Sequence, residues 1–149
     1  MPLEGEYEPS TQKWVRDQVE RYEASDGQDA TTLTDTGLRV IIVTNRGARS
    51  GKLRKTPLMR VEHEGRYALV ASQGGAPNHP QWYWNLLADS HIEVQDREAK
   101  WDMVAREVGG DEKRTWWERA VAAFPPYADY QRRTEREIPL FVAEPLDGG

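Results

Sequence analysis

An α+β chain that is mainly β, built as an antiparallel barrel with added helices, is what three observations predict. First, six short runs rich in β-branched or alternating apolar residues recur along the chain: Arg39–Thr44, Pro57–His63, Arg66–Ser72, Ile92–Gln95, Lys100–Val108 and Ile138–Glu144. Second, most of them are joined by turns short enough for hairpins, such as Glu64–Gly65 and Asp96–Arg97. Third, only three stretches carry helical spacing, and they do not alternate with the strands. With no G-x-G-x-x-G and no strand–helix–strand order, a Rossmann fold is excluded.

Each element has its own signal. Ser10–Glu23 is read as an amphipathic helix, with Ser10 as N-cap and Trp14, Val15, Gln18, Val19 and Tyr22 on one face. The polar run that follows, SDGQDATTLTDTG, is a connector. Arg39–Thr44 is a buried strand. Gly74, Gly75, Ala76 and Pro77 stop the third strand, after which Asn78 or His79 caps a helix with Pro80 in its first turn. That helix, QWYWNLLADS, is apolar nearly all round and is expected to be buried on more than one face. Trp101, Met103 and Ala105 alternate with polar residues in the fifth strand. Asp111 caps a third helix carrying Trp116, Trp117, Ala120 and Val121, and the next segment, AAFPPYADYQRR, reads as irregular. Residues 1–35 form an N-terminal helix and connector and residues 36–149 the barrel, one domain overall.

Composition narrows the chemistry. The chain has 149 residues, a net charge of −5 and no cysteine, which removes disulfides, thiolate nucleophiles and cysteine metal sites. His63, His79 and His91 lack ligand spacing, so no metal is expected. The net negative charge argues against nucleic acid as a general partner. No apolar run spans a bilayer and the N-terminus is unlike a signal peptide, so a cytoplasmic location is expected.

Seven of the 20 Lys and Arg lie between Asp35 and Glu62, namely Arg39, Arg46, Arg49, Lys52, Arg54, Lys55 and Arg60, and none of the 25 acids does. Such segregation costs self-repulsion. A flexible loop with Gly47, Ser50 and Gly51 among these cations is suited to phosphate or to several carboxylates. The plainer alternative is a solvated positive face on a hairpin.

Beside it, Ser72, Gly74 and Gly75 end a strand with small side chains, where a flat ligand meets exposed peptide groups. Trp82, Tyr83 and Trp84 follow and can wall a ring, although core packing would account for at least one of them. Phe124, Tyr127 and Tyr130 suit either a lid over a planar substrate or rim packing. Ser72 has no triad context, so it is not read as a nucleophile.

Together these blocks resemble the deazaflavin-dependent nitroreductase family, from about Gly37 to Pro145. GARSGKLRKTPL resembles its glycine–cation block, ASQGGAPNHPQWYWNL its A-S-K-G-G-A block, and FPPYADYQRRTEREIPLFVAEP its tyrosine-bearing C-terminal block. The resemblance implies a split β-barrel and coenzyme F420, whose phosphodiester-linked oligoglutamate tail needs cations. By that pattern Arg49, Ser50, Arg54, Lys55, Thr56 and Pro57 contact the tail and linker, with Ala48, Lys52 and Leu58 completing the stretch. Ala71, Ser72 and Gln73, with Gly74 and Gly75, line the deazaflavin, and Gln81, Trp82, Tyr83, Trp84 and Asn85 complete the pocket. Met59, Phe124, Tyr127 and Tyr130 face the substrate, with Ser72, Tyr127 and Tyr130 as catalytic hydrogen-bond donors. The chain departs from the pattern at Ala48 (a cation in the family), Gln73 (lysine), Met59 (aromatic) and Phe124 (tyrosine).

The implied activity is hydride transfer from reduced F420 to an electron-poor acceptor: a quinone, an enone or unsaturated lactone, or a nitroaromatic. Peripheral membrane contact for a lipid quinone and a homodimer accompany that reading. The alternatives are an FMN enzyme of the same barrel class, a non-catalytic carrier of the cofactor, and a module binding RNA through the basic loop.

Overall fold

The structure is a computed structural model that describes residues 3–32 and 37–146. Part of the connector, and the boundary expected between residues 35 and 36, lie outside the described residues. The elements run α1 (Lys13–Ala24), β1 (Val40–Arg46), β2 (Leu53–Met59), β3 (Glu62–His63), β4 (Arg66–Val70), α2 (Gln81–Ala88), β5 (His91–Asp96), β6 (Ala99–Glu107), α3 (Gly110–Ala123), α4 (Pro126–Arg133) and β7 (Leu140–Pro145).

All strands pair antiparallel in one sheet, in the order β2-β1-β5-β6-β7-β4-β3. Its two edge strands, β2 and β3, are separated in the chain only by Arg60 and Val61. The Arg60 N–H still donates to the Arg39 carbonyl of the β1 side, while the Val61 carbonyl already accepts from Ala68 of β4. Hydrogen bonding thus passes from one edge to the other within two residues, which curls the sheet into the expected barrel. The single strand expected at Pro57–His63 is therefore two, bent apart at this closure, and the strands number seven.

Alternation along the strands separates two cores. Ile41, Val43, Leu69, Ile92, Val94, Met103 and Phe141 turn into the barrel, where Trp82 and Leu86 of α2 join them. Val40, Ile42, Val70, Leu140 and Val142 turn outward and are covered by Val15, Val19 and Tyr22 of α1, Trp116 and Ala120 of α3, and Tyr127 of α4. Helix α1 therefore docks on its own barrel. The Tyr22 hydroxyl, fully buried, accepts from the Arg97 N–H at 2.6 Å and pins α1 to the β5–β6 turn.

Several local expectations are corrected. Ser10 does not cap α1. Its hydroxyl accepts from Gln12 N–H, and Gln12 is the N-cap without a side-chain bond. Trp14 leaves the buried face and is 56% exposed. Pro80, rather than Asn78 or His79, occupies the N-cap of α2, because its extended backbone ends where the helix begins. Only one face of α2 is buried: Trp84 and Leu87 are 50% and 52% exposed. Gly109 takes the cap position of α3, leaving Asp111 in its first turn. The segment read as irregular contains α4, which Pro125 and Pro126 start rather than break.

Candidate active site

The basic segment is a β-hairpin, not a flexible loop. β1 and β2 pair in register from Val40↔Met59 to Arg46↔Leu53, so Arg54 and Lys55 sit on a strand. The turn closes with Gly47 N–H to Lys52 O at 2.8 Å and Gly51 N–H to Gly47 O at 3.0 Å. Asn85 of α2 holds it down: its Oδ1 accepts from Ala48 N–H at 2.9 Å, and its Nδ2 donates to the Asn45 side chain. Ala48, where the family pattern has a cation, thus contributes a backbone contact.

The cations divide into two groups. Arg39 and Arg60 lie away from the hairpin tip and both bind the buried Asp96 carboxylate, at 2.8 Å each, where the Tyr67 hydroxyl also donates at 2.8 Å. They are structural. Arg46, Lys52, Arg54 and Lys55 pair with Asp89, Glu6, Glu8 and Glu23. Among the described residues, Arg49 alone of the seven makes no ion pair. Acids from elsewhere in the chain therefore offset much of the charge that looks unbalanced in sequence.

A cavity of about 630 Å³ opens beside this hairpin. Its walls are Thr56, Pro57, Leu58 and Met59 of β2, Ser72, Gln73 and Gly74 from the end of β4, Trp82 of α2, and Phe124, Tyr127 and Tyr130 of the C-terminal helices. Gln12, Trp14 and Val15 of α1 close another side, with Val40, Val70 and Pro80. A second hollow of about 190 Å³ is lined by Arg54, Lys55, Gln81 and Asn85, and it shares Gln12, Val15, Thr56 and Trp82 with the first. An aromatic, hydroxyl-bearing chamber thus lies next to a cationic groove, with four residues lining both.

Other expected residues lie off these walls. Ala48, Arg49, Ser50 and Lys52 occupy the hairpin turn beyond the groove. Ala71 is fully buried in the barrel core. Tyr83 packs on His79 and Phe141, and Trp84 faces outward.

The floor of the chamber is a strained backbone. Gln73, Gly74 and Gly75 all have positive φ, at 45°, 64° and 81°. A Cβ on Gly74 would meet nothing within 4 Å, so its peptide lies open, whereas a Cβ on Gly75 would come within 2.8 Å of the Tyr130 carbonyl. Gly75 therefore lets α4, the helix bearing Tyr127 and Tyr130, pack directly on this turn.

Arg136 holds the turn in place, and the sequence reading missed it. Its Nε donates to Ala76 O at 2.9 Å, its Nη1 to Ala71 O at 3.1 Å, its Nη2 to Ser72 O at 2.7 Å, and Nη1 also meets His79 Nδ1 at 2.9 Å. Burial, followed by the nearby Arg136 charge, lowers the His79 pKa, which favours the neutral ring that accepts this bond. Gln12, Trp14 and Val15 were also missed as cavity residues, because an amphipathic helix does not declare what it packs against.

The chemistry of the chamber is that of hydrogen-bond donation. Ser72 is buried and lines the chamber. Tyr127 is nearly fully buried, and burial with the adjacent Tyr130 raises its pKa strongly, so its phenol stays protonated. The Tyr127 and Tyr130 rings lie edge to face, 6.2 Å apart between centroids, and Phe124 packs 4.9 Å from Tyr127.

Comparison with known proteins settles the family. The model of a family described as F420H(2)-dependent quinone reductase matches residues 14–145. This chain belongs to that family. A solved structure titled F420-H2 dependent reductase (FDR-A) is 51% identical, with TM-score 0.68 over 70% of this chain and 93% of that one. Another, titled as a domain-swapped dimer, is 46% identical, with TM-score 0.70 over 91% and 100%. The F420H(2)-dependent quinone reductase Rv1261c of Mycobacterium tuberculosis is 31% identical over 105 residues, 68% of this chain and 70% of that protein.

As a member of the F420H(2)-dependent quinone reductase family, the protein is an oxidoreductase that uses reduced coenzyme F420. The chamber and groove fit such a group: open space at Gly74 and the Ser72, Tyr127 and Tyr130 hydroxyls lie in an aromatic-lined chamber, and Arg54 and Lys55 line the adjoining groove. No helix among the described residues is long and apolar enough to cross a membrane.

Proposed function

We propose that the chamber holds the deazaflavin ring and a quinone-type acceptor, and that the groove carries the polyanionic tail along Arg54 and Lys55, with Lys52 and Arg49 beyond. The observation that carries this reading is that the two hollows adjoin, sharing Gln12, Val15, Thr56 and Trp82 in their linings. When bound, reduced F420 supplies a hydride. The chain's own residues orient the acceptor and exclude water. Phe124, Met59 and Trp82 offer apolar surface to a flat ring, and α1 and α4 enclose it from two sides. Ser72, Tyr127 and Tyr130 supply hydroxyl donors for the acceptor oxygen on which negative charge develops. Tyr127 acts as a fixed donor, because its protonated phenol is buried. Tyr130, closer to solvent, is placed to relay a proton from water.

The exposed Trp14 lies on the cavity wall, and an aromatic at that rim supports an acceptor with an apolar tail, presented by a cytoplasmic enzyme in peripheral membrane contact. A homodimer is supported by the exposed Trp84 and Leu87 on one face of α2 and by the relative solved as a domain-swapped dimer.

Side-by-side fluorescence titration of oxidised F420 and FMN tests the cofactor assignment. Tight F420 binding with weak FMN binding is expected, and a preference for FMN refutes the tail site. Tyr130→Phe should lower quinone turnover about tenfold with F420 affinity unchanged. Unaltered turnover would remove Tyr130 from the reaction.

A further inference from the structure

We infer that the acidic segment Glu4–Glu8 is a built-in competitor for the cationic face of β2, and that a cofactor's tail must displace Glu6, Glu8 and Glu23 from Lys52, Arg54 and Lys55 in order to bind. This rests on the tail-binding reading above.

The segment lies as a parallel bridge along the outer edge of β2, with Tyr7 opposite Leu53. Leu53 N–H donates to Glu6 O at 2.7 Å, and Glu8 N–H donates to Leu53 O at 2.8 Å. An edge strand that would otherwise expose unpaired groups is thereby covered. Arg46 donates to the Glu4 carbonyl at 2.8 Å and anchors the start of the segment.

Its side chains match the strand's charges by strand periodicity. Glu6 reaches Lys52 at 3.8 Å and Glu8, two residues on, reaches Arg54 at 2.9 Å, also two residues on. Glu23 of α1 takes Lys55, whose ammonium also stands 5.0 Å from the centre of the Tyr7 ring. Glu6 and Glu8 thus present to β2 the same chemical group, a carboxylate, that an oligoglutamate tail carries. The segment occupies the cations that the tail would need.

Such an arrangement competes with the tail. The Glu6 and Glu8 pairs are substantially exposed, so each is weak and exchangeable. Tethering nevertheless gives these acids a high local concentration. A ligand with one or two charges trades one pair for another and gains little. A ligand with several carboxylates, anchored also by its ring, displaces the whole row. The N-terminal acids in this way temper what each tail carboxylate adds to cofactor affinity, although they touch no reacting atom.

The triple variant Glu6→Gln/Glu8→Gln/Glu23→Gln, titrated with F420 carrying short and long tails and with the tail-less deazaflavin riboside, tests this. Long-tailed F420 should bind about tenfold tighter than to the parent, short-tailed F420 should gain less, and the riboside should be unchanged. Independently of any cofactor, adding a short polyglutamate peptide to the parent protein should speed hydrogen exchange at the Glu8 and Leu53 amides. The double variant Glu6→Gln/Glu8→Gln repeats the titration with α1 untouched. Unchanged long-tail affinity in both variants, while Arg54→Glu still weakens F420, overturns the inference and leaves the tail site standing. If Arg54→Glu also leaves F420 affinity unchanged, the tail site itself is wrong.

Discussion

Arg136→Met is expected to lower stability by about 2–4 kcal/mol and to cut turnover far more than cofactor affinity. The side chain serves three carbonyls and a histidine around one turn. Ala71 and Ser72 are buried, so their carbonyls cannot exchange this donor freely for water. The turn they flank has three successive residues in left-handed conformation, and Gln73 among them lacks glycine's freedom. Without the guanidinium the turn relaxes, and Ser72 moves with it. Arg136→Lys should recover only part of the effect, since an ammonium cannot reproduce the fork that reaches several carbonyls at once. Thermal melting together with separate kcat and KM measurements checks this. If Arg136→Met melts like the parent and keeps its kcat, the positioning role is refuted. Ser72→Ala provides the contrast: it removes one pocket hydroxyl and should leave the melting temperature unchanged.

Charge reversal at Arg54 is expected to weaken F420 binding by about a hundredfold. Arg54 lines the cationic groove next to Thr56, which also walls the chamber, so it stands where ring site and tail site meet. Reversal also sets two acids face to face, because Glu8 lies 2.9 Å from the guanidinium. Arg54→Gln removes the charge without that repulsion and should give a smaller loss. The tail-less riboside should bind both variants like the parent. Equal losses for riboside and full cofactor would mean that the substitution disturbed the ring site rather than a tail contact.

Much of the site was legible because its signals are local. Thr56, Pro57 and Met59 follow a cation run on one strand, Ser72, Gln73 and Gly74 end another, and Tyr127 and Tyr130 are three apart, the spacing that places them on one face of α4. The same local view misjudged the basic segment. Arg54 and Lys55 are adjacent, which hides strand alternation, and the nearby glycines suggested a loop. Register with β1 made it a hairpin. Proline runs misled in the opposite direction: Pro125 and Pro126 looked like breakers, but at the start of a helix a missing N–H costs nothing.

The residue order alone determined most of the strands, the hairpin turns at Glu64–Gly65 and Asp96–Arg97, and the types of group brought to the site. β-branched runs and turn residues act within a few positions, so no fold was needed to see them. Only the tertiary structure decided which charges were spoken for. Arg39 and Arg60 proved to belong to Asp96, and Lys52, Arg54 and Lys55 to Glu6, Glu8 and Glu23. It also brought Arg136 to a turn some 60 positions earlier, and α1 to the cavity wall. Those pairings join residues distant in sequence, and Coulomb attraction and hydrogen bonding depend on distance in space. No spacing along the chain encodes them, and they arise only once the barrel closes.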